Sequence, residues 1–265
     1  MNNNNLLKVA IRAAIEAGHK ILDVYNTDFD VELKEDKSPL TIADKKSHKC
    51  IDSYLQKTPY PILSEEGRAI PYKERKSWQT FWVVDPLDGT KEFVKRNGEF
   101  TVNIALVEKG NPILGVIYVP VQKTLYFASI KNGAFKNDFC DNSNIKNIDN
   151  LIKQSTRIPI FETKSSFTVI GSRSHMSTET EEFVNKLKKK HSKLEVLSAG
   201  SSLKLCLVAE GKANVYPRFA PTMEWDTAAG QAICQAAGFN VINYETKKPL
   251  IYNKENLLNP WFVVS

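Results

Sequence analysis

The sequence predicts an α/β fold of two closely packed subdomains, and three observations predict it. Leu6, Leu7, Ala10, Ala13, Ala14, Ala17, Ile21 and Tyr25 recur at helical spacing near the start. Three apolar runs between Thr101 and Ser129 are joined by links of only a few residues, which suits an antiparallel meander. From Phe167 onward short apolar runs alternate with amphipathic stretches, the rhythm of strands and helices packed in layers. A chain of 265 residues with 42% hydrophobic content can bury a full core in this form.

The elements follow in order. The first periodic stretch makes an amphipathic helix of about five turns. A second helix is expected from Thr41, since Ile42, Ile51, Tyr54 and Leu55 supply an apolar stripe and Pro39 breaks what precedes it. Strands then dominate: Pro61 to Ser64, Phe81 to Val84, Thr101 to Val107, Ile113 to Val119 and Leu125 to Ser129. Lys109-Gly110-Asn111 and Pro120-Val121-Gln122 link the last three. Asn137 to Ser165 is rich in Asn, Asp, Lys and Ser and reads as an irregular connection. It divides the chain into an N-terminal α+β subdomain, residues 1–150, and a C-terminal α/β subdomain, residues 151–265. Strands are expected beyond it at Phe167 to Gly171, Leu194 to Leu197, Asn214 to Tyr216, Phe239 to Ile242 and Trp261 to Val264. Helices are expected at Thr178 to Lys190, Ser202 to Glu210 and Asp226 to Ala237.

Composition excludes several classes of function. The net charge of +6 raises nucleic acid as a partner, and Lys186, Lys188, Lys189, Lys190 and Lys193 form a basic run. That run closes a helix whose first turns carry Glu179, Glu181 and Glu182, so it complements the helix dipole and reads as a solvated face. No nucleic-acid partner is expected. Cys50, Cys140, Cys206 and Cys234 are scattered without a Cys-x-x-Cys pair, which signals neither a zinc site nor a disulfide framework. No apolar stretch reaches the roughly 18 residues of a membrane span. The asparagine-rich start lacks the pattern of an export signal, so a cytoplasmic protein is expected.

The run Trp82-Val83-Val84-Asp85-Pro86-Leu87-Asp88-Gly89-Thr90 carries the chemistry. It sets two carboxylates at the mouth of an apolar strand, where open α/β sheets put their ligands. Pro86 cannot donate to a ladder, so the strand is expected to end as the aspartates begin. Alone, Asp88-Gly89 fits an ordinary turn as well as it fits a site. Two further segments add acids: Ile62-Leu63-Ser64-Glu65-Glu66-Gly67 ends another apolar strand, and Glu224-Trp225-Asp226 opens a helix. Asp226 also fits a helix cap, and Thr41-x-x-Asp44 fits a capping box. Three segments delivering carboxylates to one place is what a hard cation such as magnesium requires.

In order and separation, Glu65-Glu66, Asp85 through Thr90, and Trp225-Asp226-Thr227-Ala228-Ala229-Gly230 resemble the inositol-monophosphatase-like superfamily of magnesium-dependent, lithium-sensitive phosphatases. The resemblance spans nearly the whole chain. It implies a layered αβαβα sandwich of the inositol monophosphatase and sugar phosphatase type. It also implies Mg2+ as cofactor, two ions per chain with room for a third, and inhibition by Li+. By that resemblance Glu65, Asp85 and the Leu87 carbonyl would hold one ion. Asp85, Asp88 and Asp226 would hold the second. Gly89 and Thr90 would cradle phosphate, and Thr90 paired with Asp44 would handle the proton of the attacking water.

Gly200-Ser201-Ser202-Leu203-Lys204 and Tyr216 through Asp226 resemble the CysQ-type branch, the 3′(2′),5′-bisphosphate nucleotidases. That branch removes the 3′-phosphate of adenosine 3′,5′-bisphosphate, a by-product of sulfate assimilation. A second phosphate needs its own cations, and Lys204 and Arg218 are the candidates. Ser201, and His175 within Gly171-Ser172-Arg173-Ser174-His175, are further candidates for substrate contact. The set expected to touch substrate is thus Glu65, Leu87, Asp88, Gly89, Thr90, His175, Ser201, Lys204, Arg218 and Asp226. The competing readings are a phosphatase for inositol monophosphate or a sugar bisphosphate, and a regulator that binds metal or nucleotide without turnover. The resemblance leaves monomer and homodimer open, and it allows peripheral association with the cytoplasmic face of the inner membrane.

Overall fold

The computed structural model describes residues 2–33, 39–142, 145, 147–160, 166–172 and 177–265. Helix α1 (Asn3–Tyr25) starts where the Asn2 side chain accepts the Asn5 N–H. Its apolar stripe, from Leu6 through Ile21, is buried. A short hairpin of β1 (Val31–Leu33) and β2 (Pro39–Thr41) leads into α2 (Ile42–Leu55), for which Thr41 is the N-cap.

Next come β3 (Ile62–Ser64), α3 (Tyr72–Arg75), β4 (Thr80–Asp88), α4 (Thr90–Val94), β5 (Thr101–Glu108), β6 (Asn111–Val119), β7 (Thr124–Ser129), β8 (Gly133–Asn137), α5 (Ile148–Lys153) and β9 (Thr156–Ile158). The strands β3 to β9 form one seven-stranded sheet in sequence order. Only the β3–β4 pair is parallel; the rest is an antiparallel meander.

The chain then alternates through β10 (Phe167–Ser172), α6 (Thr178–Lys188), β11 (Leu194–Ala199), α7 (Leu203–Ala209), β12 (Tyr216–Arg218), α8 (Glu224–Ala236), β13 (Val241–Asn243) and β14 (Phe262–Val264). A parallel bridge between Val169 and Val215 joins the β10–β11 pair to the three-stranded β12-β14-β13 sheet.

Three apolar clusters define five layers. The first packs α1, α2 and α5 on one face of the large sheet, around Trp82, Ile104, Tyr118 and Phe127. The second packs α7 and α8 between the other face and the smaller strands, around Phe81, Val107, Ile233 and Phe262. The third fills the space between those strands and α6, around Val169, Val184 and Phe219. The order α-β-α-β-α is the expected sandwich. Strand β5, covered by helices on both sides, is buried at every position but its last, which is why it reads as a continuous apolar run.

Two contacts fix the elements that matter most below. A Cβ on Gly115 of β6 would lie 2.3 Å from the Ala229 carbonyl of α8, so the missing side chain lets that helix seat directly on the sheet. The buried Trp82 indole donates to Thr58 Oγ1 at 2.8 Å, satisfying the one polar group it takes into the core.

Three expectations are corrected. Strand β4 does not stop at Val84 but runs through Pro86 to Asp88. The polar stretch after Asn137 holds α5 and β9, and β9 is the edge strand of the large sheet. Helix α8 opens at Glu224, two residues earlier than its apolar pattern suggests, because Met223 rather than Glu224 or Trp225 sits at the cap. Of the four cysteines, Cys140, Cys206 and Cys234 are buried and all are free thiols.

Candidate active site

The strand passes Pro86 by means of a bulge. Asp85 pairs with Asn103 and Asp88 with Thr101, so β4 carries one more residue than β5 over that interval. Proline is tolerated there because no ladder bond asks for its missing N–H. The bulge is pinned from both sides: Ser47 of α2 donates to the Pro86 carbonyl at 2.6 Å, and the Leu87 N–H reaches Asp85 Oδ1 at 3.1 Å. Gly89 follows at φ +90°, a conformation that favours glycine, and caps the short helix α4. A Cβ on Gly89 would meet the Glu99 carbonyl and Ser201 Cβ, each at 3.2 Å.

Asp44 fills both of the roles its sequence suggests. Its Oδ2 accepts from the Thr41 N–H and hydroxyl, each at 2.7 Å, completing the capping box of α2. Its Oδ1 receives the Thr90 hydroxyl at 3.3 Å. That hydroxyl also lies 3.3 Å from the Leu87 carbonyl. The cap fixes the carboxylate, and its second oxygen is left to face the site.

The acids converge. The Glu65 N–H extends the parallel pairing of β3 by donating to the Val84 carbonyl, which sets Glu65 beside Asp85. Their two carboxyl groups are hydrogen-bonded to each other. Asp226 enters from α8, where its Oδ2 accepts the Met223 N–H at 2.9 Å. Asp85 is 1% exposed. Burial holds its carboxyl well above the usual range, and the charges of Glu65, Asp88 and Asp226 add to the effect. Asp226 is raised by burial, then by Asp88 and Glu65; the Met223 N–H and the Arg218 guanidinium oppose that rise.

These residues fit a hard cation. All the donors are oxygen, and the mutual repulsion of the carboxylates around Asp85 is what a divalent ion removes. No three acidic, histidine or cysteine side chains among the described residues form a finished cage. A carbonyl such as that of Leu87, together with water or phosphate oxygens, completes the coordination that magnesium takes.

Beside the acids lies a cavity of about 340 Å³. Asp88, Gly89, Ser201, Lys204, Arg218 and Asp226 line it, so two of the acids face both candidate phosphate-binding cations. Lys204 is buried, donates to the carbonyls of Ser201 at 2.7 Å and Ala199 at 3.3 Å, and has its pKa pushed down to about 8 by burial. Arg218 spends Nη2 on the Pro221 carbonyl at 3.0 Å. Its Nε is buried and has no hydrogen-bond partner among the described residues. Arg218 and Lys204 place two cations on the wall of one cavity, a setting that suits an anionic ligand. Asp85, Glu65, Leu87, Thr90 and Asp44 do not line the cavity. His175 lies outside the described residues.

Several contributors escape the sequence reading. Thr101, Asn103 and Ser202 surround Asp88, Ser47 pins the bulge, and Lys91 and Glu92 line the cavity. No motif marks them, because their partners are 39 residues away for Ser47 and 100 for Thr101 and Ser201.

Comparison with known proteins gives one consistent result. The model of the inositol monophosphatase family matches residues 2–261. The chain is 44% identical to the 3′(2′),5′-bisphosphate nucleotidase CysQ of Escherichia coli strain K12, over 98% of this chain and 99% of that one. It is 34% identical to the CysQ of Haemophilus influenzae, over 99% and 93% respectively. Its fold superposes on the crystal structure of CysQ from Bacteroides thetaiotaomicron, a bacterial member of the same family. The TM-score is 0.92 and the identity 53%, covering 99% of this chain and 97% of the other.

Proposed function

The chain belongs to the inositol monophosphatase family, and from that premise we propose that it is a magnesium-dependent 3′(2′),5′-bisphosphate nucleotidase. It hydrolyses the 3′-phosphate of adenosine 3′,5′-bisphosphate to give AMP and phosphate. The related conversion of 3′-phosphoadenylylsulfate to adenylylsulfate is a second reaction of the same site, and both belong to sulfur assimilation. The relatives named as CysQ nucleotidases support the substrate class. The observation that carries it within the molecule is the pair Arg218 and Lys204 on the wall of a cavity shared with two acids.

In this reading Glu65, Asp85 and the Leu87 carbonyl would hold one magnesium, and Asp85, Asp88 and Asp226 would hold a second, with a third weaker ion near Glu65 and lithium as an inhibitor. Bound magnesium supplies neutralising charge to the phosphate oxygens and lowers the pKa of the attacking water. The protein's own residues do the rest. Thr90 directs its hydroxyl at Asp44 Oδ1 and so presents its lone pairs to the water, whose proton passes through Thr90 to Asp44. Asp44 is held for this task by the two Thr41 hydrogen bonds to its other oxygen. Gly89 lets the backbone come close to the scissile phosphate. Arg218 and Lys204 fix the second phosphate, which turns binding energy away from the reacting centre into orientation. A functional division between residues 1–150, with most of the ligands, and 151–265, with Asp226 and the selectivity residues, completes the proposal.

The test compares phosphate release from adenosine 3′,5′-bisphosphate, inositol 1-phosphate and fructose 1,6-bisphosphate. The nucleotide is expected to have the highest kcat/KM. Replacing Arg218 by Met should cut its kcat/KM by about 10- to 100-fold, as loss of a charged hydrogen bond does. Faster turnover of either rival, or an unaffected R218M enzyme, would reject the assignment.

A further inference from the structure

Thr101 and Asn103 lie in the centre of the large sheet, 0% and 1% exposed, where polar side chains are costly unless paired. Both are on β5, and neither lines the cavity. Their hydrogen bonds all lead to the same place. Asp88 Oδ2 accepts from the Ser201 hydroxyl at 2.6 Å, the Ser202 N–H at 2.6 Å and the Asn103 amide at 3.3 Å. The Thr101 hydroxyl sits 2.6 Å from Ser201 Oγ, 2.8 Å from Ser202 Oγ and 2.9 Å from Asn103 Oδ1. Ser202 Oγ also lies 2.8 Å from Asn103 Oδ1.

Counting protons orders this network. Ser201 gives its only hydroxyl proton to Asp88 and Ser202 gives its own to Asn103 Oδ1, so the single Thr101 proton is shared among Asn103 Oδ1, Ser201 and Ser202. The Asn103 amide is thereby oriented with its NH2 towards Asp88. The three donors to Asp88 all reach Oδ2, and the hydroxyls of Thr101 and Ser202 back two of them. Among the described residues Oδ1 of Asp88 takes no hydrogen bond.

We propose that Thr101, acting through Ser201 and Ser202, and Asn103, acting directly, are positioning residues that lock Asp88 in one orientation and reserve its Oδ1 for a divalent cation. The inference rests on the reading of Asp88 as a metal ligand. It also assigns the Ser201 hydroxyl to Asp88 rather than to substrate, consistent with the strained φ of +50° at which Ser201 is held. The same loop is gripped from the far side by Lys204, whose ammonium donates to the Ser201 carbonyl. Metal affinity is therefore set partly by a buried strand that touches neither metal nor substrate.

The test is isothermal titration calorimetry of Mn2+ into the full-length protein without substrate, comparing wild type with Thr101→Val, Thr101→Ser and Asp88→Asn. Thr101→Val keeps the volume and removes the hydroxyl; it should weaken one site by about 10- to 100-fold, the usual effect of losing an outer partner of a ligand. Thr101→Ser restores the hydroxyl and should bind within about threefold of wild type. Ser202→Ala, a milder change, should weaken the same site several-fold and decides the matter if Thr101→Val does not fold. Wild-type affinity in Thr101→Val or Ser202→Ala, with the site lost in Asp88→Asn, would overturn the relay and leave the metal assignment standing. Full binding by Asp88→Asn would overturn the metal assignment itself and the relay with it.

Discussion

Two acids open α8, and their surroundings are opposite. Glu224 is 0% exposed, yet its carboxylate receives the Lys254 ammonium at 2.6 Å and the N–H groups of Asn253 at 2.7 Å and Lys254 at 3.0 Å. Asp226, two residues on, has a single backbone N–H from Met223 and faces the charges of Asp88 and Glu65. Arg218 offsets only part of that repulsion, and burial dominates. The first acid is a structural tie that holds the 253–254 loop under the helix. The second belongs to a group in which carboxylates are gathered against one another. What separates a structural carboxylate from a candidate ligand here is a direct ion pair with a protein cation, not burial.

That contrast is broken most severely at Asp85. Asp85→Asn should cut magnesium-dependent phosphate release by about a thousandfold or more, because the shared ligand is lost. The metal-free variant should unfold at the same or a higher temperature than wild type, since one repelling charge is gone. Glu224→Ala should do the reverse. It leaves Lys254 without its partner and should cost about 3 kcal/mol of stability, read by denaturant unfolding, with kcat/KM of the folded fraction within a few-fold of wild type. Thr90→Ala should lower kcat about 100-fold with little change in KM, as removal of a proton-handling group does.

A smaller effect tests the cavity. The Lys204 ammonium is charged below its pKa of about 8 and neutral above it. If Lys204 holds the second phosphate, its contribution should be present at pH 7 and lost as pH rises through 8. KM for the bisphosphate should rise up to about tenfold between pH 7 and 9, a limit set by the charged fraction. Lys204→Gln should lack that rise. The smallest effect belongs to the lysines that close α6. Lys188 and Lys189 are exposed, and converting both to Gln should leave activity unchanged and stability within about 0.5 kcal/mol.

The sequence carried the acids because they stand in short segments at strand and helix ends, where local pattern places them. It carried the sandwich because helical and alternating periodicities report which face is buried. The extension of β4 through Pro86 was hidden, since a bulge depends on the partner strand and on Ser47 reaching in from α2. Strand β9 was hidden in a polar stretch because Thr156 and Arg157 are exposed and only Ile158 enters the core. Thr101 and Asn103 looked like ordinary strand residues. Their role exists only once Ser201 and Ser202, about a hundred positions later, are folded against them.

The acids at the end of β4, buried Asp85 and half-buried Asp88, are read here as a cation site. Thermal unfolding with increasing Mg2+ tests it most directly, in wild type and in Asp85→Asn side by side. A ligand that binds only the native state raises its melting temperature with concentration. Wild type should climb by several degrees over the millimolar range while Asp85→Asn stays flat. An equal rise in both proteins, or none in wild type, would contradict the account.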